Sequence, residues 1–418
     1  MKVLLSAYAC EPGKGSEPAV GWNWVRQIAR FAEVWVITRA NNRPAIEKAL
    51  VQEPLPNVHW VYFDLPRWVR FWKKGQRGVH VYYYLWQIGV YRIAKHLHRE
   101  VGFDVVHHVT LGNYWLPSFL PLLPVPFVWG PVGGGESAPI SFYSTYSLRG
   151  KVRELLRDIS RFISDITPLH KILAKRVSFA LATTEQTAIR LKKRLRVKNV
   201  DILPQFAMTF DEMRMLSQIS ETHKPPQSPI RFVSAGRNVS YKGFHLGLMA
   251  FAKLLSKSPV DCEYWIINTG PDHKYLRALA KRLGIADRVK FLGQLGSLSE
   301  VYYTIAKCHV LVHPALHEAF GNIVLEGMAL GKPVICLNLG GPALQVTAET
   351  GFKVSARAPE QAVEEMVRAM CRLAEDADLR RRMGEAARRR VLKEFSWEQR
   401  GEKIRKIYEE VLNDAYCR

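Results

Sequence analysis

Hydrophobic and polar positions fall into two successive alternating series along the chain. In the first half, short apolar runs at Val3–Ala9, Glu33–Thr38, Val58–Phe63, Val105–Val109, Phe127–Trp129, Phe179–Thr183 and Asp201–Leu203 read as strands. Helical spacings such as Gly21–Phe31 and Thr187–Leu195 run between them. Apolar strands separated by helices predict a parallel sheet covered on both faces. A turn-rich stretch follows, and the prolines within Thr222–Pro229 mark a linker. A second series then predicts strands at Arg231–Ala235, Glu263–Asn268, Val289–Leu292, Val310–His313 and Pro333–Leu337. Its helices are expected at about Gly243–Ser256, Lys274–Leu283, Ser297–Ala306 and Gly321–Leu330. The chain closes on a helical stripe of Trp397, Ile404, Ile407, Tyr408 and Val411 that requires a partner surface.

The architecture expected is α/β, with two doubly wound, Rossmann-like domains facing each other across a cleft. The boundaries are 1–205 for the first domain, 206–228 for a linker and 229–395 for the second. The closing helix, about 396–416, is free to pack back on the first domain or across both. Ligands of such sheets bind outside the carboxyl ends of the strands. The length of 418 residues suits two cores rather than one.

Sixty Lys+Arg against thirty-eight Asp+Glu give a formal charge of +22, which favours anionic partners. Cys10, Cys262, Cys308, Cys336, Cys371 and Cys417 show neither a Cys-x-x-Cys pair nor zinc spacing, which suits a reducing cytoplasm. The apolar start Met1–Ala9 is too short for a signal peptide. The long apolar stretch Tyr114–Trp129 is broken by Pro117, Pro121, Pro124 and Pro126, so it does not read as a spanning helix.

The most informative stretch is His313–Gly341. A strand end is followed by Glu318, then by Phe320, Gly321, Asn322 and Ile323 opening a helix that carries Glu326. A helix N-terminus presents unpaired N–H groups and partial positive charge, a natural seat for a diphosphate. Glu326 is placed to accept hydrogen bonds from ribose hydroxyls, and Glu318 to reach a sugar. Two Glu with seven residues between them, then Gly-Lys-Pro-Val and Gly340-Gly341, resemble the donor-site signature of retaining glycosyltransferases of family 4, the glycosyl transferases group 1, whose fold is GT-B.

The resemblance implies roles for further residues. Arg237 and Lys242, just after a strand, would neutralise the donor phosphates and stabilise the departing diphosphate. Gly270 and Gly293 would line the nucleotide base. Nearest to the family's phosphate-side glycine pair stand Gly13, Gly15 and Ser16. A histidine at the end of the fourth strand would touch the transferred sugar, and His107 and His108 both qualify. Gly133, Gly134, Gly135 and Glu136 read as a flexible loop near the acceptor. Where relatives often have Pro-Asn-Gly, this chain has Pro204-Gln205-Phe206.

The expected activity is a retaining, metal-independent hexosyltransferase with a nucleotide-diphosphate sugar as co-substrate and no other cofactor. The one Asp-x-Asp pattern, Asp376-Ala377-Asp378, sits in a charged helical region and reads as solvated surface. The contrasting reading is a non-catalytic membrane- or nucleic-acid-binding protein on the same scaffold, which leaves Glu318, Glu326, Arg237 and Lys242 without a reason to occur together.

Two basic segments bear on the acceptor. Leu65–Arg99 contains no acidic residue. It interleaves Arg67, Arg70, Lys73, Lys74, Arg77, Arg92, Lys95 and Arg99 with Trp68, Phe71, Trp72, Tyr82, Tyr83, Tyr84 and Trp86. That mixture suits an anionic membrane interface, and single-stranded nucleic acid selects a similar one. Leu148–Ile166 has an apolar stripe of Leu148, Val152, Leu155, Ile159, Ile163 and Ile166, which either lies on a bilayer or packs on its own domain. Together they point to a glycan or lipid-linked acceptor, peripheral contact with anionic membrane from the cytoplasmic side, and no nucleic acid.

Overall fold

A computed structural model describes residues 1–69, 71–72 and 78–416. Arg70, Lys73, Lys74, Arg77 and Cys417 of the sequence reading therefore lie outside the described residues. The chain divides into two compact units: Met1–Gly135 with Ile159–Ala207 and Trp397–Arg418, and Glu136–Asp158 with Met208–Ser396.

The first unit holds a seven-stranded sheet. Its strands are β1 (Lys2–Ser6), β2 (Glu33–Thr38), β3 (Val58–Tyr62), β4 (Val105–His108), β5 (Phe127–Val132), β6 (Phe179–Ala182) and β7 (Val200–Ile202). All pairs are parallel, in the order β3-β2-β1-β4-β5-β6-β7. The order reverses between β1 and β4, the switch point where such sheets open a crevice beyond their strand ends. Strands β4, β5 and β6 are buried at every position, which is why they read as continuous apolar runs.

The second unit holds β8 (Ile230–Ala235), β9 (Cys262–Ile267), β10 (Val289–Gly293), β11 (Val310–His313), β12 (Val334–Leu337) and β13 (Gly351–Val354). These are also parallel, in the order β10-β9-β8-β11-β12-β13, with the switch point between β8 and β11. Strand β13 escapes the periodicity because Phe352 is only partly covered and Lys353 is exposed, which weakens its apolar signature.

The structure departs from the sequence-based expectations at several elements. The stretch assigned to a linker contains the helix Phe210–Thr222. Thr209 and Glu212 form a capping box at its start, and Met213, Leu216 and Ile219 bury one face. Residues 136–158 leave the first domain and join the second unit, because Ala138, Phe142 and Tyr146 sit in its core. In the basic segment, Tyr82, Tyr83 and Trp86 are buried in the first core on the inner side of the helix Val79–Val101. They are packing residues, while Trp68 and Phe71 are exposed. The closing helix Trp397–Tyr416 belongs to the first unit, and its stripe packs on the helix Glu17–Ala29, with Trp24 and Trp397 edge to face at 5.6 Å.

The loop read as flexible is pinned. Gly133 N–H donates to the Gly112 carbonyl at 2.6 Å and Gly135 N–H to the Thr187 hydroxyl at 3.2 Å. The Gly134 and Gly135 carbonyls each accept a guanidinium N–H at 3.0 Å, from Arg161 and Arg190. Glu136 is buried and counts with the second unit. No described helix is long and apolar enough to cross a membrane.

Candidate donor site in the second unit

The loops that leave β8 and β11 flank the switch point of the second sheet. The β8 loop runs through Arg237 and a short helical turn, Ser240–Lys242, to Gly243. Gly243 has φ +69°, and a side chain there would collide with the Pro314 carbonyl, so only glycine lets the two loops touch. The Leu316 N–H donates to the Tyr241 carbonyl at 2.7 Å, and the His317 ring stacks on Tyr241 at 4.2 Å. The next residue on each loop completes the contact, because the Lys242 ammonium donates to the Glu318 carboxylate.

His313, at the end of β11, is fully buried with its Nε2 3.6 Å from the same carboxylate. Burial pushes the Glu318 pKa up, but the Lys242 charge and the His313 ring outweigh it and hold the carboxyl well below the usual range. Glu318 is therefore a permanent carboxylate at neutral pH. Burial keeps the His313 pKa below that of a free imidazole, so the ring is neutral there. The Glu318 backbone is fixed from behind, where its carbonyl accepts the Gly341 N–H at 2.9 Å.

Gly321 caps the helix Asn322–Ala329 with φ +81°, its Cα side open only as far as His313 and Glu318 allow. The first N–H groups of that helix have no intrahelical acceptor and point past Gly321. Phe320 is buried, while Asn322 and Ile323 are partly exposed at the helix tip. One turn further in, Glu326 is buried and accepts the Tyr302 hydroxyl at 3.1 Å. Burial raises its pKa to about 7, with the nearby Glu212 charge adding to the rise and the Tyr302 bond opposing it. The two carboxylates of the motif thus have opposite electrostatics.

The remaining predicted residues line the same sheet edge. Arg237 is exposed and makes no ion pair among the described residues. Gly270 presses on Asn238, whose carbonyl accepts the Asp272 N–H at 3.0 Å. Gly293, at φ +70°, accepts the Asn268 N–H at 2.6 Å and has open space beside its Cα. Asp272 accepts hydroxyls of Ser147 and Ser240, which ties the β9 loop to the β8 loop. Sequence reasoning passed over His313, Tyr302, Asp272 and His317, none of which stands in a distinctive local spacing.

In the first unit the predicted residues sort differently. His107 Nδ1 is 2.6 Å from the Tyr408 hydroxyl and Nε2 is 2.7 Å from the Gly130 carbonyl, so both nitrogens are spent inside the core. His108 Nε2 is 2.8 Å from the Tyr83 hydroxyl, and burial takes the His108 pKa down to about 4. Gly15 is exposed in the turn after β1, and Ser16 adopts φ +64°, a strained value for a residue with a side chain. Glu17, not singled out by the sequence, bridges this sheet's switch point by accepting the Leu111 N–H at 2.9 Å and the Gln205 amide. Burial raises the Glu17 pKa to about 7 although both hydrogen bonds lower it. Asp376 of the Asp-x-Asp pattern caps the helix Ala377–Glu394, and Asp378 pairs with Arg381 at 3.4 Å.

Comparison with known proteins fits this geometry. Residues 217–390 match the family described as Glycosyl transferases group 1. Alpha-D-kanosaminyltransferase of Streptomyces kanamyceticus is 26% identical over 364 residues, 86% of this chain and 87% of that protein. N-acetyl-alpha-D-glucosaminyl L-malate synthase of Bacillus anthracis is 31% identical over 168 residues, 40% of this chain and 42% of that one, so this chain spans less than half of that relative. The sucrose-phosphate synthase structure from Thermosynechococcus elongatus superposes with a TM-score of 0.63 at 17% identity, covering 99% of both chains. With its two parallel sheets the chain has the GT-B fold, and the part that carries the donor-type motif at the second switch point matches the group 1 glycosyltransferases.

Proposed function

We propose that this chain transfers a sugar from a nucleoside diphosphate donor to a glycan or lipid-linked acceptor at a membrane surface, retaining the anomeric configuration and using no metal ion. The carrying observation is the Lys242–Glu318 pair, brought together across the switch point beside the tip of the helix Asn322–Ala329. The donor diphosphate takes its countercharge from Lys242, from the unpaired Arg237 and from that helix tip. Two side-chain cations and a helix dipole supply the positive charge that a metal ion supplies elsewhere.

Glu318, ionised and held by Lys242, accepts hydrogen bonds from sugar hydroxyls and has no proton to give. Glu326 meets the ribose. With Glu318 engaged in this way, the reaction runs on one face of the sugar. The bond from the anomeric carbon to the phosphate oxygen breaks with its electron pair left on that oxygen, the acceptor oxygen bonds the anomeric carbon on the same face, and the acceptor proton passes to the leaving phosphate oxygen. His107 is a structural residue in this scheme, and His108 and Glu17 remain at the first unit's strand ends for the acceptor. No cofactor other than the nucleotide sugar is required. The protein works from the cytoplasm, peripherally on the inner face of the membrane, consistent with its +22 charge.

The test is turnover of UDP-, GDP- and ADP-glucose, followed by proton NMR of the transferred sugar. Lys242→Ala and Glu318→Gln should each lower kcat by about 10²–10³-fold with the preferred donor. EDTA should leave the rate unchanged, and the product should keep the donor's anomeric configuration. Wild-type turnover in both variants, or an inverted product, contradicts the reading.

A further inference from the structure

The helix Leu148–Ile166 is packed inside out. Its stripe of Leu148, Val152, Leu155, Ile159, Ile163 and Ile166 faces solvent, each residue between 46% and 81% exposed. Leu156 and Phe162 widen the exposed face. At 3.6 residues per turn these positions span an arc of roughly 120°. The opposite side is polar and buried, with Glu154, Arg161 and Ser164 each no more than 3% exposed. A helix in water buries its apolar side, so this face is held for a partner that water does not supply.

The rim of the face identifies the partner. Arg149 and Lys151 are exposed and flank the apolar arc on either edge. The two acids on the Lys151 side are turned to inward partners: Asp158 accepts the Tyr143 hydroxyl at 2.7 Å, and Asp165 pairs with Arg190 at 3.2 Å. The outer face therefore presents hydrocarbon bordered by cations, without hydrogen-bonding groups in its middle. That arrangement matches the acyl–headgroup boundary of an anionic bilayer, where chains bury the aliphatic residues and phosphates meet the cations.

The inner face of the same helix reaches the donor loop of the second unit. Glu154 accepts the His317 Nε2–H at 2.9 Å, and Arg157 donates to His317 Nδ1. His317 immediately precedes Glu318 and stacks on Tyr241, which immediately precedes Lys242. We infer that the helix Leu148–Ile166 is a lipid-docking element whose outer face seats on an anionic bilayer, while its inner face, through Glu154, Arg157 and His317, holds the loop that carries Glu318. Docking orders the helix, and His317 passes that order to the Lys242–Glu318 pair. His317 is a positioning residue. The inference deepens the membrane half of the proposed function, and its coupling step rests on the donor-site reading.

Flotation with phosphatidylglycerol/phosphatidylcholine vesicles tests the docking without any donor, so it can fail while the transferase reading stands. The wild type should float with phosphatidylglycerol-containing vesicles, less at high salt, and not with pure phosphatidylcholine. Leu155→Asp with Ile159→Asp should weaken binding at least tenfold while the melting temperature is unchanged, because both sites are exposed. Undiminished binding by that variant, or no wild-type binding to either vesicle, overturns the docking. So does a wild-type dimer in solution that the same substitutions dissolve, since a second copy would then own the face. For the coupling, vesicles should raise wild-type kcat on the preferred nucleotide sugar severalfold. His317→Ala should float normally yet lose that stimulation, and stimulation that survives in His317→Ala overturns the coupling.

Discussion

Glu318 and Glu326 share one motif, yet their surroundings set them apart. Lys242 keeps the first ionised, while burial beside Tyr302 lifts the second to about 7. The stability consequence follows from linkage. A carboxyl whose folded pKa lies above its ordinary value of 4.5 binds its proton more tightly in the fold. Its contribution is complete below about pH 4.5 and is lost as pH rises through about 7. The loss amounts to about 3 kcal/mol from a shift of that size. Glu326→Gln should therefore flatten the fall in melting temperature over that window in the ligand-free protein. A variant whose melting profile runs parallel to the wild type from pH 4.5 to 7 would show that the carboxyl is not perturbed in this way. The residues legible in the sequence were those held in a fixed local spacing, such as Glu318, Gly321 and Glu326. His313, Tyr302 and Glu17 were not, because each acquires its role from strands or loops far away in the chain. His107 looked like a site residue because it ends a strand at the sheet's edge, and only the Tyr408 contact, 301 residues away, shows where its nitrogens go.

At the scale of elements, most strands were visible because they are buried on both faces and carry no polar alternation. The helix Phe210–Thr222 was obscured by the proline-rich stretch after it and by an amphipathic pattern that includes exposed Phe210 and Met215. Segment 136–158 follows β5 directly, so the sequence left it with the first sheet, and only the burial of Phe142 and Tyr146 reveals its other allegiance. The stripe of the closing helix was plain, but its partner was not. The structure supplies it in Trp24, Phe31 and His107. Trp397 is fully buried against Trp24, so Trp397→Ala should cost about 3–5 kcal/mol in chemical denaturation. Tyr408→Phe keeps the ring and removes only the hydroxyl bonded to His107, so it should cost about 1–3 kcal/mol. A Trp397→Ala protein as stable as the wild type would mean that this helix is not part of the first core.

For the molecule as a whole, the two sheets share a plan and differ in what their switch points hold. The first presents Glu17, Ser16 and His108 among aromatic packing residues. The second presents Lys242, Arg237 and a helix tip, an arrangement that offers a diphosphate concentrated positive charge. The overall charge of +22 draws anions to the surface, but it does not choose a site among them. Calorimetric titration of the wild type and Lys242→Ala with UDP-, GDP- and ADP-glucose makes that choice visible. One of these should bind the wild type, and its affinity should fall by about 100-fold or more when the Lys242 charge is removed. Equal affinity in the two proteins would place the nucleotide sugar elsewhere and remove the basis for reading this pocket as the donor site.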